Sequence, residues 1–169
     1  MINIIKTQYR TTINYLFKKK IMKHIVLLFL LLCNYNVIGQ IKVDNVGDGW
    51  VDKVNQAISL IKKVDSEKYD VLINVCSQIT FWNGTFSTTE NDYTIMISQS
   101  DIKNGSVNNV AAVLVHESRH LYFRKNGIKM KDIDEETMAY IYELQFLEKI
   151  PGVEQFLINN AKKRIINPK

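Results

Sequence analysis

The stretch from Val107 to Lys125 constrains this chain more than any other part of it. Asn104-Gly105-Ser106 forms a turn before it, and the Ser106 hydroxyl is suited to cap the first turn of a helix. Asn126-Gly127 supplies a stop at the other end. Between these signals Val110, Val113, Leu114, Leu121 and Phe123 provide apolar contacts, so the segment is expected to be a packed helix. Inside it lies His116-Glu117-Ser118-Arg119-His120. Side chains four residues apart on a helix stand one above the other on the same face, so His116 and His120 can converge on one tetrahedral ion. Two nitrogens joined by a carboxylate suit zinc. Glu117 is turned about 100° around the axis from His116, which places it beside the metal, where it can take a proton from water.

A catalytic zinc site needs a third protein ligand and one open position. The only other histidine, His24, lies far upstream. The third ligand is therefore expected from the acidic run Asp132-Ile133-Asp134-Glu135-Glu136. Asp134 reads as an N-cap, and the acids after it suit the positive end of a helix that runs on through Ile141, Leu144 and Leu147 to Pro151. That gives two consecutive helices packed antiparallel. One of Glu135 and Glu136 serves the helix terminus and the other is expected to ligate. Ala139 is small enough to let the two helices approach closely.

Charge divides the chain unevenly. Of its 22 basic side chains, Lys6, Arg10, Lys18, Lys19, Lys20 and Lys23 fall in residues 1–39, which hold no acid. Residues 40–169 keep the other 16 against 17 acids, so their net charge is −1 and no nucleic-acid partner is expected. The basic cluster precedes an apolar run from Ile25 to Cys33, too short to span a bilayer. Val37-Ile38-Gly39 follows, and together they read as an export signal cut near Gly39. Met22 is the alternative start of that signal, and a buried N-terminal helix or lipidation at Cys33 are competing readings. The expectation is a secreted or periplasmic domain over residues 40–169 in which Cys76 is the only thiol, a small buried hydrophobe with no disulfide partner.

The remainder reads as one domain with mixed secondary structure. Trp50, Val51, Val54, Ala57, Ile58, Ile61 and Val64 have helical spacing. Val71, Ile73 and Val75 alternate, so Tyr69 to Cys76 is expected to be a strand. Ile79 to Trp82 continues it or starts another. Asn83-Gly84 is a hairpin-type turn signal, and Gly84 to Asp92 is a loop or exposed hairpin. Tyr93 to Ser98 is a further strand. Gly152 to Ile166 reads as a closing helix, with Val153, Phe156, Leu157 and Ala161 on one side and Lys162-Lys163-Arg164 favouring its C-terminus. The aromatics Trp50, Phe81, Trp82, Tyr142, Phe146 and Phe156 are assigned to packing.

His-Glu-Ser-Arg-His followed by Glu-Glu-Thr-Met-Ala-Tyr over residues 116–140 resembles the gluzincin pattern of zinc metallopeptidases, an HExxH helix followed by an ExxA helix. In scale it is similar to minimal domains of the ImmA/IrrE type. The resemblance implies an α+β, zincin-like fold, with a small antiparallel or mixed sheet against the HExxH helix and the following glutamate-bearing helix. It implies zinc held by His116, His120 and Glu136, with Glu135 as the competing ligand, and Glu117 as general base in hydrolysis of a peptide or protein substrate. Many relatives carry Asp or Asn after the Ala to orient a ligating histidine; this chain has Tyr140. Tyr140, Tyr142, Arg119 and Tyr122 are the candidates to stabilise the oxyanion, with a plain ion pair to Glu135 the alternative for Arg119. Tyr93 to Ser98 would be the edge strand beside the active helix, open to an extended peptide. A zinc-stabilised binding or inhibitory domain without catalysis is the alternative function, and a metal-free structural protein the third. No membrane span is expected, and the sequence does not set the oligomeric state.

Overall fold

A computed structural model describes residues 41–44 and 49–167. The expected export signal and the Gly47-Asp48 part of the first turn lie outside them. Among the described residues the chain is α+β, with a four-stranded mixed sheet and six helices.

The first helix, α1 (Trp50–Val64), buries Val54, Ala57 and Ile61 at the spacing expected of one helical face. Gly49 precedes it at φ 74°, a left-handed conformation that costs glycine nothing. The next segment departs from the expected strand. Ser66–Val75 is a helix, α2, because Asp65 caps it: the Asp65 carboxylate accepts a hydrogen bond from the Lys68 backbone N–H. The buried set Lys68, Leu72 and Val75 has helical periodicity, and the alternation of Val71, Ile73 and Val75 is a by-product of a helix apolar on more than one side. Lys149 closes the cap with a 2.7 Å ion pair to the buried Asp65 carboxylate, whose pKa is lowered: the contacts with Lys149 and Lys68 together outweigh the burial that opposes them.

The sheet contains β1 (Lys42–Val43), β2 (Gln78–Trp82), β3 (Thr88–Thr89) and β4 (Thr94–Ser98), in spatial order β1-β2-β4-β3. β2 is parallel to both β1 and β4, and only β3 and β4 are antiparallel. Asn83-Gly84 therefore does not close a hairpin between β2 and its successor. A Cβ at Gly84 would lie 2.1 Å from the Trp82 indole, so glycine is needed because the ring lies over it. The hairpin that does form joins β3 to β4 through residues 90–93. β4 is thus an interior strand and the edge is β3, contrary to the expectation for Tyr93 to Ser98. Ile79 and Ile95 are register partners, as are Phe81 and Ile97. The three isoleucines are fully buried.

A short helix α3 (Gln99–Asn104), capped by the Ser98 hydroxyl, leads into α4 (Val107–Lys125), capped by Ser106 as expected. At Gly105 an added Cβ would meet the Asp101 carbonyl oxygen at 2.2 Å, so the two helices can meet this tightly only through glycine. Lys53 fixes the junction by donating to the Ile102 and Gly105 carbonyls. α4 is the central element, packed against α1, α2, α3, β3, β4 and α5 (Asp132–Leu147). Eleven of its 19 residues are buried, on nearly all sides, which explains why a one-faced apolar stripe is missing from its sequence. α5 starts at Asp132, two residues before the expected cap, with Lys131 at the N-cap position and no side-chain cap, and it ends at Leu147. α6 (Gln155–Ile166) packs on α5 through the buried Leu157 and Ala161. Trp82 and Phe156 are exposed and are not core residues, at 38% and 64% of their accessible surface.

Phe146 on α5 is fully buried. Phe146→Ala leaves a cavity between packed helices and is expected to cost about 3–5 kcal/mol. Urea unfolding should show a lower midpoint at unchanged slope; a loss below about 1 kcal/mol would mean that α5 is not part of the cooperative core.

Candidate metal site

The α4–α5 pair places the acidic start of α5 against the C-terminal half of α4. His116 meets Glu143 and His120 meets Glu135, so the helices run antiparallel as expected. The fully buried Ala139 lies between these contacts, where a larger residue would hold the helices apart.

His116 Nε2 and His120 Nε2 lie 3.2 Å apart. The Glu136 carboxylate straddles them, Oε2 at 3.6 Å from His116 Nε2 and Oε1 at 3.4 Å from His120 Nε2. Ligand atoms of His116, His120 and Glu136 all fall within 4.8 Å of one another. An ion bound tetrahedrally at about 2.0–2.1 Å has ligands about 3.3–3.4 Å apart, so these separations fit a small divalent cation. The group can hold a metal ion.

The other ring nitrogens are held from outside the cluster. Glu143 Oε2 is 3.1 Å from His116 Nδ1, and Glu135 Oε1 is 2.7 Å from His120 Nδ1. A carboxylate only accepts, so each contact favours the tautomer with the proton on Nδ1 and a lone pair on Nε2. In the neutral, ligating form both Nε2 atoms then face Glu136. This divides the roles of the two candidate glutamates: Glu136 faces the shared point, and Glu135 orients His120 from behind. Glu143 orients His116 in the same way. Sequence reading missed Glu143. Its signal was a lone acid in the otherwise apolar stripe Ala139, Phe146 and Leu147, because a charge on a buried helix face needs a partner.

The electrostatics follow from burial and from the carboxylates. Burial opposes the imidazolium at His116, but Glu136 and Glu143 together outweigh it and raise its pKa to about 10. Burial lowers the pKa of His120, against the hydrogen bond it donates to Glu135, which raises it. Glu136 is lowered, first by its contact with His116. Glu117 is buried and is raised to about 7, chiefly by desolvation, with the Glu136 and Glu143 charges adding to it and His116 opposing.

A cleft of about 570 Å³ opens over this cluster. Its α4 side carries Asn109, Val113, His116 and Glu117, its α5 side Glu136, Tyr140 and Glu143, and its α6 side Leu157, Asn160 and Arg164. Residues Thr85, Phe86 and Ser87 form the remaining rim, held by hydrogen bonds from Ser87 and Ser98 to one Asp101 oxygen. Of the four oxyanion candidates only Tyr140 lines the cleft, its ring edge-on to His116 at 4.4 Å between centroids. Burial pushes the Tyr140 hydroxyl up to about 12, so it stays a donor at neutral pH. Arg119 is not paired with Glu135. It stacks over Tyr122, Phe123 and Tyr142, and Tyr142 also carries Lys68 at 3.4 Å from its ring centre. These groups form a partly buried stack of cations and rings that takes no part in the cleft. Cys76 is buried and its thiol is pushed up to about 11 by desolvation, in keeping with an inert packing role. Among the described residues no helix is long and apolar enough to cross a membrane.

Comparison of the chain with protein-family profiles, with curated proteins and with solved structures finds no match.

Proposed function

We propose that this protein is a small zinc-dependent peptidase of zincin-like design, with His116, His120 and Glu136 as ligands and Glu117 as general base. The observation that carries this reading is the arrangement of the two histidines. Each Nδ1 faces a carboxylate of its own, and both Nε2 atoms face Glu136, with a buried Glu117 one residue from a ligand and on the wall of the cleft. A merely structural ion site would have no use for a buried carboxylate that is not a ligand, whose desolvation costs stability. Two nitrogens and an oxygen suit zinc among the common divalent ions.

A zinc ion held by His116, His120 and Glu136 would supply a Lewis acid for the scissile carbonyl and would make water more acidic. The chain's own groups do the rest. Glu117 accepts a proton from the attacking water and returns it to the leaving nitrogen. The Tyr140 hydroxyl donates to the oxygen of the tetrahedral intermediate. Glu135 and Glu143 hold the imidazoles in the ligating tautomer. The α5 acids crowd negative charge around the site, and a doubly charged cation offsets it.

Elemental analysis of the purified protein tests the site. One zinc per chain is expected, lost in His116→Ala, and wild-type hydrolysis of a peptide pool should stop with a chelator and return with zinc. A wild-type protein that takes up no metal after zinc is added would sink the peptidase reading.

A further inference from the structure

Arg164 is the one guanidinium on the cleft wall, and the sequence explains it only as a charge suited to a helix C-terminus. Its position says more. Asn108 on α4 donates to Glu154, just before α6, at 2.7 Å, which seats the start of α6 against the start of α4. Ten residues on, Arg164 lines the same cleft as Tyr140 and Glu136. Yet among the described residues it makes no ion pair, although Glu117, Glu136 and Glu143 line the same cleft. It is half-buried rather than splayed into solvent. Leu157, Asn160 and Arg164 share one α6 face toward the cleft, so a side-chain amide stands one turn from the guanidinium.

We infer that Arg164, assisted by Asn160, recognises a carboxylate of the substrate, so that the cleft takes short peptides bearing a carboxylate close to the bond to be cut. The inference rests on the peptidase reading and names its substrate class. A guanidinium accepts a carboxylate through two parallel hydrogen bonds, which fixes orientation as well as charge. The cleft volume suits a ligand of a few residues. In the reaction, water adds across the amide: its oxygen bonds to the carbonyl carbon, the C–N bond breaks, and the nitrogen leaves with a proton. The carboxylate held by Arg164 is untouched. It is either the peptide's own C-terminus or an Asp or Glu side chain.

The full chain carrying Glu117→Gln, loaded with zinc and checked for stoichiometry, separates these cases. Three randomised acetylated pentapeptide pools serve as probes: free C-terminus without internal acids, amidated without internal acids, and amidated with one Asp. Capture is read by mass spectrometry, and wild-type cleavage of the same pools is followed in parallel. Carboxylate-bearing peptides should be captured about ten- to hundredfold better than the neutral pool. The preferred pool identifies the source. Adding Arg164→Gln should erase the preference, and Arg164→Lys should restore part of it. Equal capture of all pools, or an equal loss across all pools in Arg164→Gln, would overturn the inference. If the pools are then still cleaved by wild type, the peptidase reading stands; capture and cleavage of none would overturn both.

Discussion

Glu117→Gln is expected to lower turnover by about a thousandfold while leaving the bound ion and the fold in place. The substitution keeps shape and removes only the ability to carry a proton, and a positioned general base contributes roughly 10²–10⁴. Glu117 is buried and its carboxyl is raised to about 7, mainly by desolvation. A pKa near the working pH suits a group that must first accept a proton and then release it. The sign of the pH dependence follows. The base form grows as pH rises through the folded pKa, so kcat/KM should climb on its acidic side. A bound cation pulls that limb below 7, and the Gln variant should lack it. Stability carries the opposite slope: between the ordinary carboxyl value of 4.5 and about 7 the folded state holds the proton more tightly than the unfolded one, so ionising Glu117 weakens the fold as pH rises. Glu117→Gln should remove this loss as well. Full activity in the variant, or loss of its metal, would show that Glu117 has another role.

Legibility in the sequence followed how local the physics was. α4 was read with its observed ends because Ser106 and Asn126-Gly127 act within one turn of the residues they stop. His116 and His120 were legible for the same reason, since helical spacing alone brings them together. Glu136 needed one more step, a neighbouring helix joined by a short connection. What failed was set by contacts distant in sequence. The Tyr93 to Ser98 segment is a strand, but its being interior depends on β2 and β3, which its own residues do not encode. The alternation of Val71, Ile73 and Val75 is equally compatible with a strand and with a two-sided helix, and the Asp65 cap decides for the helix α2. The residues around Arg164 explain only a charge at a helix C-terminus, because its place beside the cleft depends on where α6 packs.

Zinc affinity should fall in the order Glu136→Ala, then Glu143→Ala and Glu135→Ala. A zinc site of four ligands worth about 10–16 kcal/mol averages about 2.5–4 kcal/mol for each, so losing Glu136 should weaken binding on the order of a hundredfold or more. Groups that only orient a ligand are worth about 10–100-fold, so the other two variants belong at or below that level. Geometry sets the order, because Glu136 alone presents oxygens to both Nε2 atoms while Glu143 and Glu135 address Nδ1. Proton release reports on the carboxylates around His116, while affinity decides which of them ligates. His116 is held protonated up to about 10 by Glu136 and Glu143, and it must lose that proton before its nitrogen can ligate. Near pH 7 zinc uptake should therefore release about one proton from His116, and affinity should rise with pH up to that value. In Glu143→Ala the imidazole loses one of the carboxylates that hold its proton, so the release should shrink while the stoichiometry of one ion stays. Calorimetry in buffers of different ionisation enthalpy measures both quantities together. A larger affinity loss in Glu135→Ala than in Glu136→Ala would move the ligand role to Glu135 and turn the two carboxylates around.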